Sequence, residues 1–463
     1  MLTVSLTLTN LRHRVTTRIP TNITKSMNLL TFTKSSMIHT ISYFPGSQSI
    51  DSWTSNNELK SWIKTQVDIL KPANVYLCTG SRSENENNIN CLVASGSLIR
   101  LNPHLRPGSY AARSVPSDVA RVEARTFICT ELKEDAGPLN NWIKPNEMHT
   151  TLAKKLAGSM IGRTLFVVPF AMAPIQSPFC KIGVQLTDSR YVVANMKIMT
   201  RMGVDALSHL GETGSFTKCI HTVGVPLGLN EPDVPWPCSN EKYISHFPTE
   251  NLVLSTGSMY GGNAILGKKS LALRLASVLA RDEHWLAEHM AIMRVTSPIG
   301  KVSHICAAFP SQCGKTNFAM MESVLTGWKL ELLGDDIAWL RLGNDGKLYA
   351  LNPENGIFGV APGTSPSTNS AAITASASNT IFTNCAIDPV TMDVWWKHLT
   401  PSPPTHLISW LGRSWYHGKE GTKEQPEDAA QANARFTCPT TNVPNLCKDW
   451  DNPNGVPIDA IIY

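Results

Sequence analysis

Apolar and polar positions change their period several times along this chain, and each change predicts an element. Over residues 51–70 apolar side chains recur at helical spacing, which predicts an amphipathic helix. Val75-Tyr76-Leu77-Cys78 is a short apolar run closed by the Gly80-Ser81 turn, as a buried strand would be. A second strand is predicted over residues 164–168, and a helix over 191–210 that ends at Gly211. Residues 251–260 rise as a strand to the Gly261-Gly262 turn, and 264–280 return to helical period. Residues 302–308 and 456–463 read as further strands. Two stretches, 366–380 (Ser, Thr, Ala and Asn) and 416–432 (polar and charged), read as surface loops. No internal repeat is present. Alternating helix and strand predicts an α/β fold with mixed, partly parallel sheets, and 463 residues allow two domains with large cores.

Charge matters mainly through its placement. Five of the 41 basic side chains, Arg12, Arg14, Arg18, Lys25 and Lys34, lie in residues 1–50, where there is no acid. The remainder carries 36 basic and 36 acidic residues, so no nucleic-acid footprint is left. Residues 1–50, rich in Ser, Thr and Arg, have the composition of a mitochondrial transit segment; a translated stretch without a role is the alternative. Eleven cysteines without a C-x-x-C pair suggest neither a zinc ribbon nor a disulfide framework, and fit a reducing compartment, mitochondrial matrix or cytosol. The longest apolar run, residues 165–175, contains Pro169 and Pro174 and falls short of a membrane span.

The stretch that carries chemistry is Phe309-Pro310-Ser311-Gln312-Cys313-Gly314-Lys315-Thr316-Asn317. It follows a predicted strand and precedes Phe318-Ala319-Met320-Met321, which fits the first turn of a helix. Main-chain N–H groups at a helix start have no intrahelical partners and can hold a polyphosphate. Lys315 would reach the outer phosphates, and the Thr316 hydroxyl would ligate the nucleotide's Mg2+. The general pattern asks for glycine where Phe309 stands, so on residues alone an ordinary turn into a helix stays open. About twenty residues on, Leu332-Leu333-Gly334 stops at Asp335-Asp336, where a metal ligand fits.

With these residues in view, the chain resembles the GTP-dependent phosphoenolpyruvate carboxykinase family. That family's loop reads Phe-Pro-Ser-Ala-Cys-Gly-Lys-Thr-Asn, from which only Gln312 departs, and the ATP-using branch lacks the cysteine. The likeness continues through residues 177–189, Tyr260-Gly261-Gly262-Asn263 and residues 352–364. It implies the family's two-domain fold, with a substrate-binding domain over 51–285 and a phosphate-loop domain over 286–463, in a monomer. It also implies the family reaction, in which oxaloacetate and GTP give phosphoenolpyruvate, CO2 and GDP, as in gluconeogenesis. Mn2+ would fall on Lys269, His289 and Asp336, with Lys268 beside the moving phosphoryl group. The substrate would meet Arg121, Tyr260, Gly261, Gly262, Ser311, Asn433, Ala434 and Arg435. The nucleotide, with Mg2+, would meet Gln312, Cys313, Gly314, Lys315, Thr316, Asn317, Phe358 and Arg435. Cys313 is the family's active-site cysteine, but the reaction uses no thiol nucleophile. It reads as a reactive bystander whose thiolate is favoured by the helix start and Lys315.

Each residue has a second reading on its own. Lys269 is equally a solvated helix residue, His289 a core histidine, and Asp335-Asp336 a strand-end turn. Arg121 reads as a surface partner of Glu123 or Asp118, Arg435 as a loop residue, and Phe358 as core. The final apolar run, residues 456–463, reads as a buried strand. In the family it leads into a Gly-Gly-Arg-Arg-Pro turn and a long segment with the mobile lid and the aromatic residues that sandwich guanine. Two expectations therefore stand: an active carboxykinase, and a truncated, catalytically silent member with an incomplete nucleotide domain that keeps only metal and substrate binding.

Overall fold

The computed structural model describes residues 49–463 apart from 229–230 and 310–313. Almost all of the transit-type stretch, and Ser311, Gln312 and Cys313 of the phosphate loop, therefore lie outside the described residues.

The longest apolar run forms the heart of a nine-stranded mixed sheet. Strand Thr164–Met172 lies between Asn74–Leu77, which is parallel to it, and Lys181–Thr187, which is antiparallel. The sheet continues through Thr217–Thr222, Leu252–Thr256, Tyr243–Phe247 and Thr126–Cys129 to Asn141–Ile143. Leu165, Val167 and Ala171 pack with residues of helices Asn57–Leu70 and Pro145–Leu156, whereas Phe166, Val168, Phe170 and Met172 pack with those of Arg82–Ala94 and Arg190–Met199. A strand covered on both faces reads as one continuous apolar run. Among the described residues, no helix is long and apolar enough to cross a membrane.

Several expected elements are interrupted for local reasons. The helix expected over 51–70 is two pieces, Ile50–Trp53 and Asn57–Leu70, because the Asn56 side chain caps the second by accepting from Leu59 N at 2.9 Å. That over 191–210 stops at Met199. Arg201–Met202 joins the sheet against Phe170 and Ala171, and Gly203, with φ +129°, lets the chain restart as Val204–Leu210. Residues 366–380 are not a plain loop: Asn369 caps a helix, Ser370–Ala375, that buries Ala371, Ala372 and Ala375. The final run forms two short strands in different sheets, Val456–Pro457 and Ala460–Ile462; Val456 is buried while Tyr463 is exposed.

Three elements position the candidate site. Residues 264–280 start as a wide turn of helix, Gly267–Leu275, in which Leu271 N donates to Leu266 O five residues back at 2.9 Å, and then tighten into Ala276–Glu283. A four-stranded sheet of Lys329–Gly334, Ala291–Thr296, Val302–Ala307 and Ala460–Ile462 presents the end of its first strand to that turn. A five-stranded sheet of Gly356–Val360, Arg435–Pro439, Ile381–Thr383, Tyr110–Ala112 and Ile99–Arg100 takes strands from both sides of residue 285.

Candidate active site

Four nitrogen bases converge on Asp336, just past the end of Lys329–Gly334. Lys268 Nζ and Lys269 Nζ lie 2.8 Å and 2.7 Å from its Oδ2, and Lys315 Nζ and His289 Nε2 lie 2.9 Å and 2.8 Å from its Oδ1. Lys315 also donates to the Asp336 carbonyl at 3.0 Å. Burial works against the charge of Asp336, but Lys268, Lys269, the His289 bond and Lys315 outweigh it and hold the carboxyl well below its usual range. The wide turn is what brings both neighbouring lysines, each 6% exposed, to one carboxylate.

The two lysines differ in how many carboxylates they reach. Lys268 also contacts Glu354 Oε1 at 2.5 Å; although burial opposes its charge, Asp336 and Glu354 together raise its pKa. Among the described residues Lys269 pairs with Asp336 alone, and burial, with Lys268 and Lys315 nearby, brings it down to about 8. Its Nζ has ion-pair distance to Asp336 but no directed hydrogen bond among the described residues. Burial likewise lowers His289, helped by Lys269, and lifts Glu354 to about 7. A readily neutral amine, an imidazole and an ionised carboxylate thus form a donor set suited to a divalent cation. Among the described residues, no three His, Cys, Asp or Glu side chains cluster as a metal site, so the fit depends on the lysine amine.

A second group gathers at the turn before the wide helix. Tyr260, 1% exposed, precedes the short helix Gly261–Ala264, and its hydroxyl accepts from Arg435 Nε at 3.0 Å. Phe358 meets the Tyr260 ring edge-on with centroids 6.0 Å apart, and the Arg435 guanidinium lies 5.2 Å from the Phe358 centroid. Gly262 is needed for close approach: a Cβ there would lie 2.7 Å from Arg121 Cγ, so the arginine stem lies across the glycine. Arg121 makes no ion pair among the described residues, and Asp118, one of its expected surface partners, is 1% exposed and bonded elsewhere. Ala434 is buried, and its carbonyl accepts from Ala361 N at 2.9 Å; Asn433 N donates to Gln431 Oε1.

On the phosphate side, Gly314 adopts φ +95° and caps helix Lys315–Ala319, which is shorter than the apolar pattern suggested. Thr316 Oγ1 donates to Asp335 Oδ2 at 3.3 Å, and Asn317 Oδ1 accepts from Asn369 Nδ2 at 2.8 Å. The structure thus brings Lys268, Lys269, His289, Lys315 and Asp336 together, and separately gathers Arg121, Tyr260, Gly261, Gly262, Phe358 and Arg435. Sequence reasoning assigned no role to Glu354 or Arg274. Arg274, on the wide turn, is brought down to about 10 by burial and then by the like charge of Arg121. Its only local signal was its place on the helix bearing the lysine pair.

An α/β fold in which a strand-end carboxylate, a lysine-bearing loop helix and a buried lysine pair meet defines a phosphate-loop protein with a cation-rich reaction centre. The phosphoenolpyruvate carboxykinase N-terminal domain model matches residues 61–281, and the phosphoenolpyruvate carboxykinase C-terminal P-loop domain model matches 285–463. The chain is 50% identical over 425 residues to phosphoenolpyruvate carboxykinase [GTP] of Corynebacterium efficiens, covering 92% of this chain and 68% of the relative. To that of Chlamydia felis it is 53% identical over 406 residues, 88% of this chain and 66% of the relative. It belongs to the GTP-dependent phosphoenolpyruvate carboxykinase family, a family of decarboxylating lyases. Members use a divalent metal ion, a nucleotide, and oxaloacetate or phosphoenolpyruvate. The chain spans about two thirds of the length of the curated relatives it matches.

Proposed function

We propose that this chain catalyses GTP-dependent decarboxylation and phosphorylation of oxaloacetate. The C–C bond to the departing carboxylate breaks and releases CO2, and its electron pair remains as an enolate. The enolate oxygen then takes the γ-phosphoryl group of GTP as the P–O bond to GDP breaks. The observation that supports this most is the focus of Lys268, Lys269, Lys315 and His289 on Asp336, all within 2.9 Å. Two anions must react with one another here, and a dry site rich in fixed cations offsets their repulsion.

Arg121, Arg435, Tyr260 and the main chain at Gly261, Gly262, Asn433 and Ala434, with Ser311, would hold the substrate carboxylates, arginine by its planar fork. Lys268, kept cationic by two carboxylates, would neutralise the moving phosphoryl group, while Lys315, Thr316 and the residues around Gly314 would hold the triphosphate with its Mg2+. Lys269, His289 and Asp336 would hold Mn2+, which when bound supplies charge stabilisation to a developing oxyanion. The Tyr260 and Phe358 rings would form an apolar wall that keeps water from the enolate. Gluconeogenic flux in the matrix or cytosol, by a monomer, completes the reading.

The test is a Mn2+ titration of the chain and of His289→Ala and Asp336→Ala, run beside a GTP-dependent assay of phosphoenolpyruvate formation. Each substitution should weaken Mn2+ at least about tenfold, and turnover should require GTP. Unchanged affinity in both variants overturns the metal site. Metal binding with no turnover favours the silent alternative.

A further inference from the structure

Arg121 and the Tyr260–Gly262 turn come from segments far apart in sequence, yet the two segments are laced together in both directions. The Asp118 carboxylate, three residues before Arg121, reaches across to the second segment. Its Oδ1 accepts from Ser258 Oγ at 2.5 Å, and its Oδ2 from Met259 N at 2.8 Å and Tyr260 N at 3.2 Å. Trp236 Nε1 adds a fourth donor at 2.9 Å. Asn263, just beyond the turn, reaches back. Its Nδ2 donates to Ala120 O at 3.1 Å and its Oδ1 accepts from Val122 N at 3.3 Å, so it grips the main chain on both sides of Arg121. The same Nδ2 donates to Ser258 Oγ at 2.9 Å, which closes the circuit. Both side chains are 1% exposed, and Asp118 has no ion-pair partner among the described residues. A buried carboxylate without a counter-charge is tolerated only where directed donors satisfy it, and here three of the four come from Ser258, Met259 and Tyr260, which lead into the turn.

We propose that Asp118 and Asn263 are positioning residues that fix the spacing between the Arg121 guanidinium and the main chain at Gly261–Gly262, and so set the length of carboxylate ligand the site accepts. The inference rests on reading Arg121 and this turn as substrate anchors. An arginine on an unbraced segment would bend to ligands of different length; one held on both sides by Asn263, with its stem across Gly262, cannot. Pre-set spacing places the ordering cost in folding rather than in binding. Asp118→Asn tests this with little change of shape. Its amide, turned to keep an oxygen toward Met259, Tyr260 and Trp236, puts N–H2 against Ser258 Oγ, which already accepts from Asn263 and Tyr260 N.

The experiment is calorimetric binding of oxalate, malonate and succinate, dicarboxylates of increasing length, to the Mn2+-loaded full chain. The readout is the ratio of affinities. The intact protein should discriminate among the three by about tenfold or more, while Asp118→Asn and Asn263→Ser should flatten the ratio to within about threefold and leave Mn2+ and GTP affinities within about twofold. Ser258→Ala, which deletes one donor, should fall between and serves if the other variants fail to fold. Retained discrimination in the folded variants overturns the proposal, as does a parallel loss of Mn2+ and GTP binding, which marks a merely structural role. Arg121→Ala separates the underlying reading: if it binds the dicarboxylates as the parent does, Arg121 is no anchor. If it loses them while the Asp118 and Asn263 variants keep the ratio, the anchor stands and the brace falls.

Discussion

Replacing Glu354 by alanine should destabilise the protein by about 3 kcal/mol. The carboxylate is 1% exposed and lies 2.5 Å from Lys268 Nζ, whose side chain is 8% exposed, so its removal leaves an ammonium in a dry site. Breaking a buried pair from one side costs about 3–5 kcal/mol. The lower end applies because Lys268 keeps Asp336 at 2.8 Å, and because Glu354 Oε2 has no hydrogen-bond partner among the described residues, so part of the original burial was uncompensated. The assay is urea unfolding followed by tryptophan fluorescence in chelator, which excludes stabilisation by bound metal. It should be run at about pH 8, above the value of about 7 to which burial lifts this carboxyl. The same reasoning fixes a double-mutant cycle. Lys268→Met and Glu354→Leu should each be costly, but together should cost less than their sum by about 2 kcal/mol, since an apolar pair of similar volume replaces both charges. A loss below about 0.5 kcal/mol for Glu354→Ala, or strict additivity in the cycle, would refute the reasoning, for it would mean that Lys268 does not depend on Glu354.

Gly262→Ala would place a methyl group 2.7 Å from Arg121 Cγ, and the arginine must shift by a fraction of an ångström or more. Dicarboxylate affinity should fall about 10- to 100-fold by calorimetry while Mn2+ affinity stays the same; equal affinity would show that Arg121 is free to move. Gly314→Ala meets no atom of the described residues within 4 Å, so its expected effect comes from φ +95° at the loop. GTP should bind more weakly by about tenfold, corresponding to about 1–2 kcal/mol of backbone strain, and unchanged GTP binding counts against a preformed loop. His246 provides a pH prediction away from the metal donors. It is fully buried, its Nδ1 donates to Phe127 O, 3.0 Å away, and burial, then Arg274, depresses it to about 3. The unfolded chain binds this proton below its ordinary value of 6.5 and the folded chain does not, so stability should decline by about 1.4 kcal/mol per pH unit as pH falls from 6.5 toward 3. His246→Phe should flatten that part of the acid unfolding profile, and an identical profile would exclude His246 as the source.

The strand before the phosphate loop and the pair Asp335-Asp336 were legible because each is written in adjacent residues: a short apolar run, then a break into chemistry. The central strand was legible for the same reason, although its true length, Thr164–Met172, exceeds the expected 164–168 because burial on both faces extends the apolar run past Pro169. What the sequence hid was set by distant partners. Nine residues cannot distinguish a helix of ordinary winding from the wide turn Gly267–Leu275, since the two differ by less than one residue per turn over two turns. Lys269 therefore read equally as a solvated helix residue, and nothing near the pair announced the carboxylate 86 positions away that holds Lys268. The break at Gly203 was visible only as a glycine inside an apolar pattern, a signal that helices tolerate; the edge of the central sheet, not the helix, decides that Arg201–Met202 extends. Helix Ser370–Ala375 was masked by alanine and serine in a low-complexity stretch, although Asn369 gave its start. The same logic explains why two adjacent lysines of one type have different chemistry. Lys268 reaches two carboxylates and is held charged, whereas Lys269 reaches one among the described residues and is brought down by burial to about 8, so partner count helps divide a fixed cation from a more readily deprotonated amine. Removing Glu354 should therefore do more than destabilise: it should draw Lys268 toward the condition of Lys269 and blur the distinction on which the donor set depends.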